Sequence, residues 1–218
     1  MFEILLNHYP ALAEGLTTTL VVSLSAIALG LVLGVLMAFG LMSRHRLLAW
    51  PCGLYRSFWR GTPILLQLLL VYYLLPEVGL EIAPITAAIL TLTLNTAAFQ
   101  SEIFRSGISH IPAGQIEAAR MAGISTWQIR KRIIMPQVFR LTLPPLTNEI
   151  ITILKNSSLI SVIAVTELMR VSEQIASRTF QPLETYLAAA LLYLAVNLVL
   201  ARLSAYLERR MVGGLATE

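Results

Sequence analysis

Residues 15–43 read GLTTTLVVSLSAIALGLVLGVLMAFGLMS, a stretch without a single charged residue. The hydrocarbon core of a bilayer needs about 20 apolar residues in a helix, so this stretch is long enough to cross a membrane. It is too long for the core of a signal peptide, and the residues before it include Glu3 and Glu14 instead of a basic segment. We therefore expect a first transmembrane helix that the mature protein retains.

The composition of the whole chain agrees with this expectation. Hydrophobic residues make up 56% of the 218 residues, charged residues only 13%, and the mean hydropathy is +0.73. These values are too apolar for a soluble domain of this size. The net charge of +4 comes from basic residues that flank apolar stretches, without the aromatic and basic surface of a nucleic-acid-binding protein. The sequence predicts an all-α membrane protein surrounded by lipid, with no nucleic-acid partner.

Further apolar stretches follow the first one along the chain. Together they predict five transmembrane helices in a single domain of residues 1–218, roughly at 15–43, 50–76, 82–104, 139–166 and 185–207. The second stretch contains Arg56 and Arg60, so its early part is expected at the interface or inside the protein. Thr62-Pro63 is expected to interrupt or start a helix there, because proline lacks an amide donor and restricts the residue before it.

One face of the first predicted helix carries small residues at every fourth position. These residues are Ala26, Gly30, Gly34 and Ala38. Stripes of small residues let helix backbones approach closely in lipid, where the burial of apolar surface adds little driving force. The stripe predicts close packing of the first helix against another helix.

The Lys and Arg residues predict the orientation of the chain. They concentrate in the first and third connections and in the tail after the fifth helix, whereas the second connection, 76–84, has Glu77 and Glu81 and no basic residue. Basic connections stay on the cytoplasmic side. The pattern predicts an N-terminus outside the cell, a cytoplasmic C-terminus and a cytoplasmic loop at roughly 105–138.

This loop contains a short motif in which a glutamate and two alanines are followed, four residues later, by a glycine. It reads E-A-A, three residues, Gly. Small residues allow a helix to approach another protein closely, and a glycine that adopts the left-handed conformation ends a helix at low cost. A second helix is expected to begin near Ser125 or Thr126. The motif alone is equally typical of an ordinary amphipathic surface helix. Its candidate docking residues are Glu117, Ala118, Ala119, Ala122 and Gly123.

With Ile133 and Pro136 at their spacings, the motif resembles the cytoplasmic "EAA" loop of bacterial ABC importer permeases. Three more segments resemble permeases for polar amino acids, of the histidine, glutamine and arginine type. They are RGTPILLQ at 60–67, SEIFRSGISHIPAGQI at 101–116 and KNSSLIS at 155–161. The resemblance implies the type I ABC importer permease fold, with a coupling helix in a loop at 112–136.

The resemblance also implies partners. Two such permeases would pair, as identical copies or as sister subunits, in a bacterial cytoplasmic (inner) membrane. Each would dock on an ABC ATPase, and an extracytoplasmic binding protein would deliver the amino acid. The sequence contains no G-x4-G-K-[ST] phosphate loop, so ATP and Mg²⁺ are expected on the ATPase and the chain itself is expected not to be an enzyme. Its three histidines lack the spacing of metal ligands, so no metal site is predicted.

Three ionisable residues fall near or within predicted transmembrane helices. Glu102, Glu149 and Lys155 would each cost roughly 2.5 to 3.5 kcal/mol in lipid unless they are paired or solvated. In one interpretation they bind a zwitterion, with Lys155 attracting a carboxylate and a glutamate attracting the amino group. In the other they form internal ion pairs. Glu149 and Lys155 are six residues apart, so on a regular helix they point about 120° apart and need other partners.

Uncharged polar residues are further candidates for the transport path. They are Gln67, Asn95, Asn156 and Ser157. Such side chains also form hydrogen bonds between membrane helices for purely structural reasons. Arg60 is interpreted as an anchor at the lipid headgroups, where arginine is common.

Two other functions are alternatives to the importer permease. A channel or secondary-carrier subunit would transport without an ATPase. An intramembrane hydrolase built on Lys155 with Ser157 or Ser158 is a remote third, because residues two or three apart on a helix do not share a direction and no oxyanion-hole motif is present.

Overall fold

A computed structural model describes residues 2–213, and Met1 and residues 214–218 of the predicted domain lie outside the described part. Within it the chain is entirely helical, with no strand, which confirms the predicted all-α class. The helices are α1 (Phe2–Leu41), α2 (Arg46–Gly61), α3 (Ile64–Glu77), α4 (Pro84–Ser109), α5 (Ala113–Met121), α6 (Thr126–Ile129), α7 (Met135–Asn156), α8 (Leu168–Thr179) and α9 (Pro182–Gly213), with a π-helical turn at Arg130–Ile134 and a 3₁₀ segment at Ser157–Ile163.

The small-residue stripe of α1 packs against α4, as predicted. All four of its residues are buried. A Cβ atom added at Gly34 would lie 2.9 Å from Cβ of Gln100, and one added at Gly30 would overlap the methyl group of Thr96. The two backbones therefore approach as closely as glycine allows, and this contact forms the centre of the fold.

The second predicted span consists of two helices instead of one. α2 ends at Gly61, α3 begins at Ile64, and their axes differ by 111°. Thr62 between them is extended, with φ −119° and ψ 151°, and Pro63 follows it with φ −63°. This confirms that Thr62-Pro63 interrupts the helix.

Length and hydropathy do not by themselves yield five membrane-spanning helices in residues 2–213. α1 and α9 each meet the requirement, and the count rises to at most four if the bent pair α2–α3 and a second bent pair, 126–163 with α8, are single spans. α4 falls short because polar residues such as Asn95 and Gln100 lower its hydropathy. The number of five spans stays a prediction.

A buried glutamate joins three helices after the 3₁₀ segment. Glu167 caps the N-terminus of α8 by accepting hydrogen bonds from the backbone N–H groups of Met169 and Arg170, both at 2.8 Å. It also accepts a hydrogen bond from the hydroxyl of Tyr193 in α9 at 2.9 Å and a longer one from Thr19 in α1 at 3.4 Å. One side chain thus fixes α8 against both α1 and α9.

Candidate functional site in the 105–138 loop and at the broken helix

The helix of the E-A-A motif ends in a left-handed turn at Gly123. This residue has φ +76°, a conformation that costs other residues a steric penalty. Its N–H donates to the carbonyl of Arg120 at 3.0 Å, and the N–H of Ile124 donates to the carbonyl of Ala119 at 3.1 Å. This pair of bonds is the Schellman motif. The prediction that Gly123 ends the helix is confirmed.

The next helix starts directly after this turn. Ser125 Oγ accepts a hydrogen bond from the N–H of Gln128 at 3.3 Å, and Gln128 Oε1 accepts one from the N–H of Ser125 at 3.2 Å. This reciprocal pair is a capping box, and α6 begins at Thr126. The prediction of a helix start near Ser125 or Thr126 is confirmed.

A wide turn leads into α7, and a hydrogen bond connects α5 to α7. The N–H of Met135 donates to the carbonyl of Arg130, which makes this a π-helical turn directly before Pro136. A wider turn relieves the contact that a proline ring makes with the carbonyl four residues earlier. Gln137 Nε2 then donates to Gln115 Oε1 at 2.8 Å. This hydrogen bond links α5 directly to α7.

Most of the predicted docking residues lie on the surface of this loop. Glu117, Ala118 and Ala122 are exposed, while Ala119 faces inward and is only 6% exposed. Next to them Met121 is 90% and Trp127 is 70% exposed. Neither residue is predicted by the E-A-A motif, although large apolar side chains in a loop predicted to lie in water are a signal of a binding surface. We call the exposed side chains the docking face: Glu117, Ala118, Arg120, Met121, Ala122 and Trp127.

A polar pair stabilises the break between α2 and α3. Gln67 is only 1% exposed, and its Nε2 donates to the carbonyl of Trp59 at 2.9 Å and to that of Thr62 at 3.0 Å. Asn95 Nδ2 in α4 donates to Gln67 Oε1 at 2.8 Å and to the same Trp59 carbonyl at 3.2 Å. Backbone carbonyls freed by a break inside a membrane need such partners. The two predicted path residues therefore meet, and their amides hold the break.

Glu149 faces α4 from the middle of α7. It is 8% exposed, and its Oε1 accepts a hydrogen bond from the hydroxyl of Thr96 at 2.8 Å. Thr96 in turn accepts one from Gln100 Nε2 at 3.0 Å. Thr96 and Gln100 were not predicted, although polar residues four apart in an apolar helix indicate a shared polar face. The Glu149 carboxyl thus has one hydrogen-bond donor from α4, the Thr96 hydroxyl, which is itself held by Gln100.

Lys155 faces a different part of the protein from Glu149. It lines a cavity of about 320 Å³ together with Ser158 and residues of α8 and α9, including Tyr186 and Tyr193. No ion pair of Lys155 or of Glu149 is present within residues 2–213. The structure therefore does not bring these two residues together, and within the described residues neither has an oppositely charged partner at ion-pair distance.

The remaining predicted path residues have local partners. Glu102 forms ion pairs with Arg56 at 3.3 Å and with Arg105 at 2.5 Å, which joins α2 to α4. Ser157 is buried, and its hydroxyl donates to the carbonyl of Leu154 at 2.7 Å. Asn156 is half-buried and is the last residue of α7. For Glu102 the arrangement is that of an internal ion pair.

A cleft of about 320 Å³ runs along α4 from the break towards the loop. Its lining includes Arg60, Phe99, Glu102 and His110, with Pro145 of α7 opposite. The guanidinium of Arg60 lies over the Phe99 ring, 5.3 Å from its centroid. Phe99 is ten residues before the end of α4, which corresponds to about 15 Å along the helix. Arg60 therefore contacts α4 well before the end of that helix, and its interpretation as an anchor at the headgroups stays a prediction.

Comparison with known proteins identifies one family. The family described as "Binding-protein-dependent transport system inner membrane component" matches residues 30–213. A probable amino-acid ABC transporter permease, YckA of Bacillus subtilis (strain 168), is 38% identical over 208 residues, covering 95% of this chain and 92% of its own length. The arginine transport system permease ArtQ of the same organism is 36% identical over 211 residues, covering 96% of each chain.

A solved structure agrees with these matches. The crystal structure of an amino acid ABC transporter with histidines contains a chain that superimposes with a TM-score of 0.90 at 34% sequence identity. The match covers 96% of this chain and 98% of that one. Sequence and fold therefore lead to the same group of proteins over almost the whole length.

Proposed function

The chain belongs to the family of binding-protein-dependent transport system inner membrane components, and from this premise we propose that it is the permease of an ATP-driven amino-acid importer. Family membership confirms the resemblance seen in the four sequence segments, and it means that the chain is a permease subunit that is not itself catalytic. The channel or secondary-carrier alternative and the hydrolase are not favoured. The substrate class follows the relatives, which are permeases for amino acids and for arginine.

The observation that carries the coupling role is the construction of the loop. Two short helices are joined by a Schellman turn and a capping box, and Met121 and Trp127 are exposed on their outer side. A rigid loop with exposed apolar side chains suits docking to another protein. The partner is an ABC ATPase, which would bind ATP and Mg²⁺, because the chain has no phosphate loop.

The loop is linked to the membrane part through α7. When two ATPase subunits close on ATP, they would draw the docking faces of two permeases together. The hydrogen bond between Gln115 and Gln137 and the continuous run from α6 into α7 would pass this movement to Glu149, which contacts Thr96 of α4. Coupling then consists of a shift between two packed arrangements, with no bond chemistry on this chain.

The transport path is proposed to run past the polar residues at the broken helix. Glu149 and Lys155, with Asn156 and Ser157 beside Lys155, are the proposed cargo contacts, while Gln67 and Asn95 keep the break open and Glu102 fixes α2 on α4. Glu149 and Lys155 face different surfaces of one chain, so the cargo would meet them in sequence or across a pair of permeases.

The proposed assembly contains two permeases, as a homodimer or with a sister permease, in the bacterial cytoplasmic membrane. Each has five spans, with α4 as the third, an outer N-terminus and a cytoplasmic C-terminus. An extracytoplasmic binding protein delivers the amino acid. The distribution of Lys and Arg supports this orientation, since the loop with the docking face is strongly basic and the 76–84 connection has no basic residue.

Cysteine labelling tests the orientation. In a background with Cys52→Ala, which removes the single cysteine, we expect Glu81→Cys to react in intact cells with an impermeant maleimide. Arg130→Cys should react only after the cells are permeabilised, because Arg130 is exposed on the loop assigned to the cytoplasm. The opposite labelling pattern would reverse the orientation and remove the docking face from the side of the ATPase.

Uptake into proteoliposomes tests the function itself. With the chain, its ATPase and its binding protein reconstituted, we expect ATP-dependent accumulation of at least one of radiolabelled L-arginine, L-histidine, L-glutamine and L-cystine. Glu149→Gln should lower the rate roughly tenfold, because it removes the negative charge that is proposed to attract the amino group of the cargo, while the amide oxygen can still accept the hydrogen bond from Thr96. The matched control is the exposed Glu81→Gln, which should transport normally. Accumulation without ATP and ATPase would instead indicate a carrier or channel.

A further inference from the structure

Arg60 is the arginine of the cleft that has no acidic partner. Three arginines, Arg56, Arg60 and Arg105, surround the single carboxylate of Glu102, and this carboxylate pairs with Arg56 and Arg105. Within residues 2–213 no acidic side chain lies within ion-pair distance of Arg60. The guanidinium of Arg60 instead lies over the ring of Phe99. The three arginines and Glu102 together carry a net positive charge, and Arg60 is the arginine among them without an ion pair, although its charge also acts on Glu149 from beyond ion-pair distance.

The contact with Phe99 leaves the hydrogen-bonding edge of Arg60 available. A cation–π contact with an aromatic ring uses the charge of the guanidinium and does not consume its N–H donors. No hydrogen bond to the protein occupies these donors within the described residues. Their planar fork matches the two oxygens of a carboxylate. The geometry is that of an anion-binding group that is still free to bind.

The break between α2 and α3 places this group in the cleft. Arg60 is the residue before the last one of α2, where a positive charge is favoured by the helix dipole. The amides of Gln67 and Asn95 hold the end of α2 through the carbonyl of Trp59, next to Arg60. The lining of the cleft then continues along α4 from Phe99 to His110, the residue that follows α4 on the way to the docking face.

We infer that Arg60 binds the carboxylate of the transported amino acid on its way out to the cytoplasm. This inference rests on the proposed function and on the cytoplasmic position of the loop. The carboxylate is the group that all amino-acid cargoes share. Arg60 would therefore bind the common part of the cargo and would not distinguish one amino-acid side chain from another. An arginine is costly inside a membrane unless it is solvated or paired, and an anion passing through a water-filled cleft meets this requirement.

Substitutions of Arg60 test the inference in the reconstituted transporter, with the radiolabelled amino acid that the wild type accumulates best. We expect Arg60→Gln and Arg60→Met to lower kcat roughly tenfold, the usual effect of losing a hydrogen bond between charged groups, and to leave KM unchanged because the binding protein captures the cargo. Arg60→Lys keeps the charge but not the planar fork, so it should restore only part of the rate. Arg46→Gln, at the exposed start of the same helix, should behave as wild type.

A second readout separates cargo binding from a structural role. In vesicles whose ATPase face is outside, the outer solution corresponds to the cytoplasm, and labelled amino acid is transported from the inside to the outside. Unlabelled amino acid added outside should lower the transport rate of the wild type, and should lower that of Arg60→Gln much less. The corresponding α-carboxamide, which lacks the carboxylate, should lower the transport rate of neither. Equal inhibition by the acid and the carboxamide would overturn the inference, and so would an unchanged kcat in Arg60→Met.

The same assay distinguishes a lipid phosphate from the cargo carboxylate. In vesicles of phosphatidylcholine alone, the difference between wild type and Arg60→Gln should persist. A difference that appears only when phosphatidylglycerol is added would assign Arg60 to lipid and overturn the inference. If the wild type accumulates none of the four amino acids, the proposed function fails first. If it transports and Arg60→Gln equals it, only the inference fails.

Discussion

Replacing Gly123 with proline is expected to abolish uptake while the chain still inserts into the membrane. Gly123 has φ +76°, whereas proline fixes φ near −65°, and the substitution also removes the N–H that donates to the carbonyl of Arg120. Proline in such a place typically costs about 3 kcal/mol or more locally. The turn between α5 and α6 would be lost, and with it the fixed position of the docking face. We expect uptake to fall by roughly tenfold or more, because a loss of about 1.4 kcal/mol in the free energy of docking already lowers the docked population tenfold.

Two further glycine variants calibrate this result. Gly123→Ala retains the N–H and has open space around its Cβ. Its only expected cost is the steric cost of about 1–2 kcal/mol for the left-handed conformation, so it should lose less activity than Gly123→Pro. Gly114→Ala lies in the same loop, in equally open space and without a positive φ, and should transport normally. ATPase activity measured in the same vesicles should no longer respond to the loaded binding protein in Gly123→Pro. Normal uptake by that variant would refute the coupling role of the loop.

The second large effect is expected in the core, at Gly30. A leucine there would place its Cβ against Thr96 and Ala97 of α4, with no room for the rest of the side chain. Overpacking usually costs about 1–3 kcal/mol, and the atoms of α4 that the new side chain would meet include the methyl group of Thr96 and the backbone nitrogen of Ala97. We expect a lower apparent melting temperature in detergent, reduced yield of assembled complex and loss of transport.

Gly53→Leu is the matched control for this substitution. Gly53 also lies inside a helix, α2, and a Cβ there meets nothing within 4 Å. Both substitutions gain the same helix propensity of about 1 kcal/mol over glycine, so they differ in packing alone. Equal stability of Gly30→Leu and Gly53→Leu would mean that α1 and α4 do not meet as described.

Local features of this fold were predictable from the sequence because single residues determine them. Gly123 favours the left-handed turn, Thr62-Pro63 interrupts a helix, and Ser125 begins one. Each effect depends on the covalent structure of one or two residues and so does not depend on what packs around them. The small-residue stripe belongs to the same class, since its spacing of four residues fixes the face of α1 that can approach a neighbour.

The arrangement of the candidate site could not be obtained in this way. Gln67 and Asn95 are 28 residues apart, and their hydrogen bond depends on the 111° bend that turns α3 relative to α2. The spacing of Glu149 and Lys155 showed that they point in different directions, but which elements they face depends on the packing of α7. The contact of Arg60 with Phe99 could not be foreseen, because a count of charges has no information on which ring an arginine meets.

The Schellman turn and the capping box have a consequence for how tightly the loop binds its partner. Both are formed by residues between Ala119 and Gln128 and need nothing from another protein. Ordering a flexible segment during association consumes part of the interaction energy, about 0.5–1.5 kcal/mol for each immobilised flexible side chain. A loop that is already ordered avoids much of this loss, so the proposed docking face would spend less of its interaction energy on ordering.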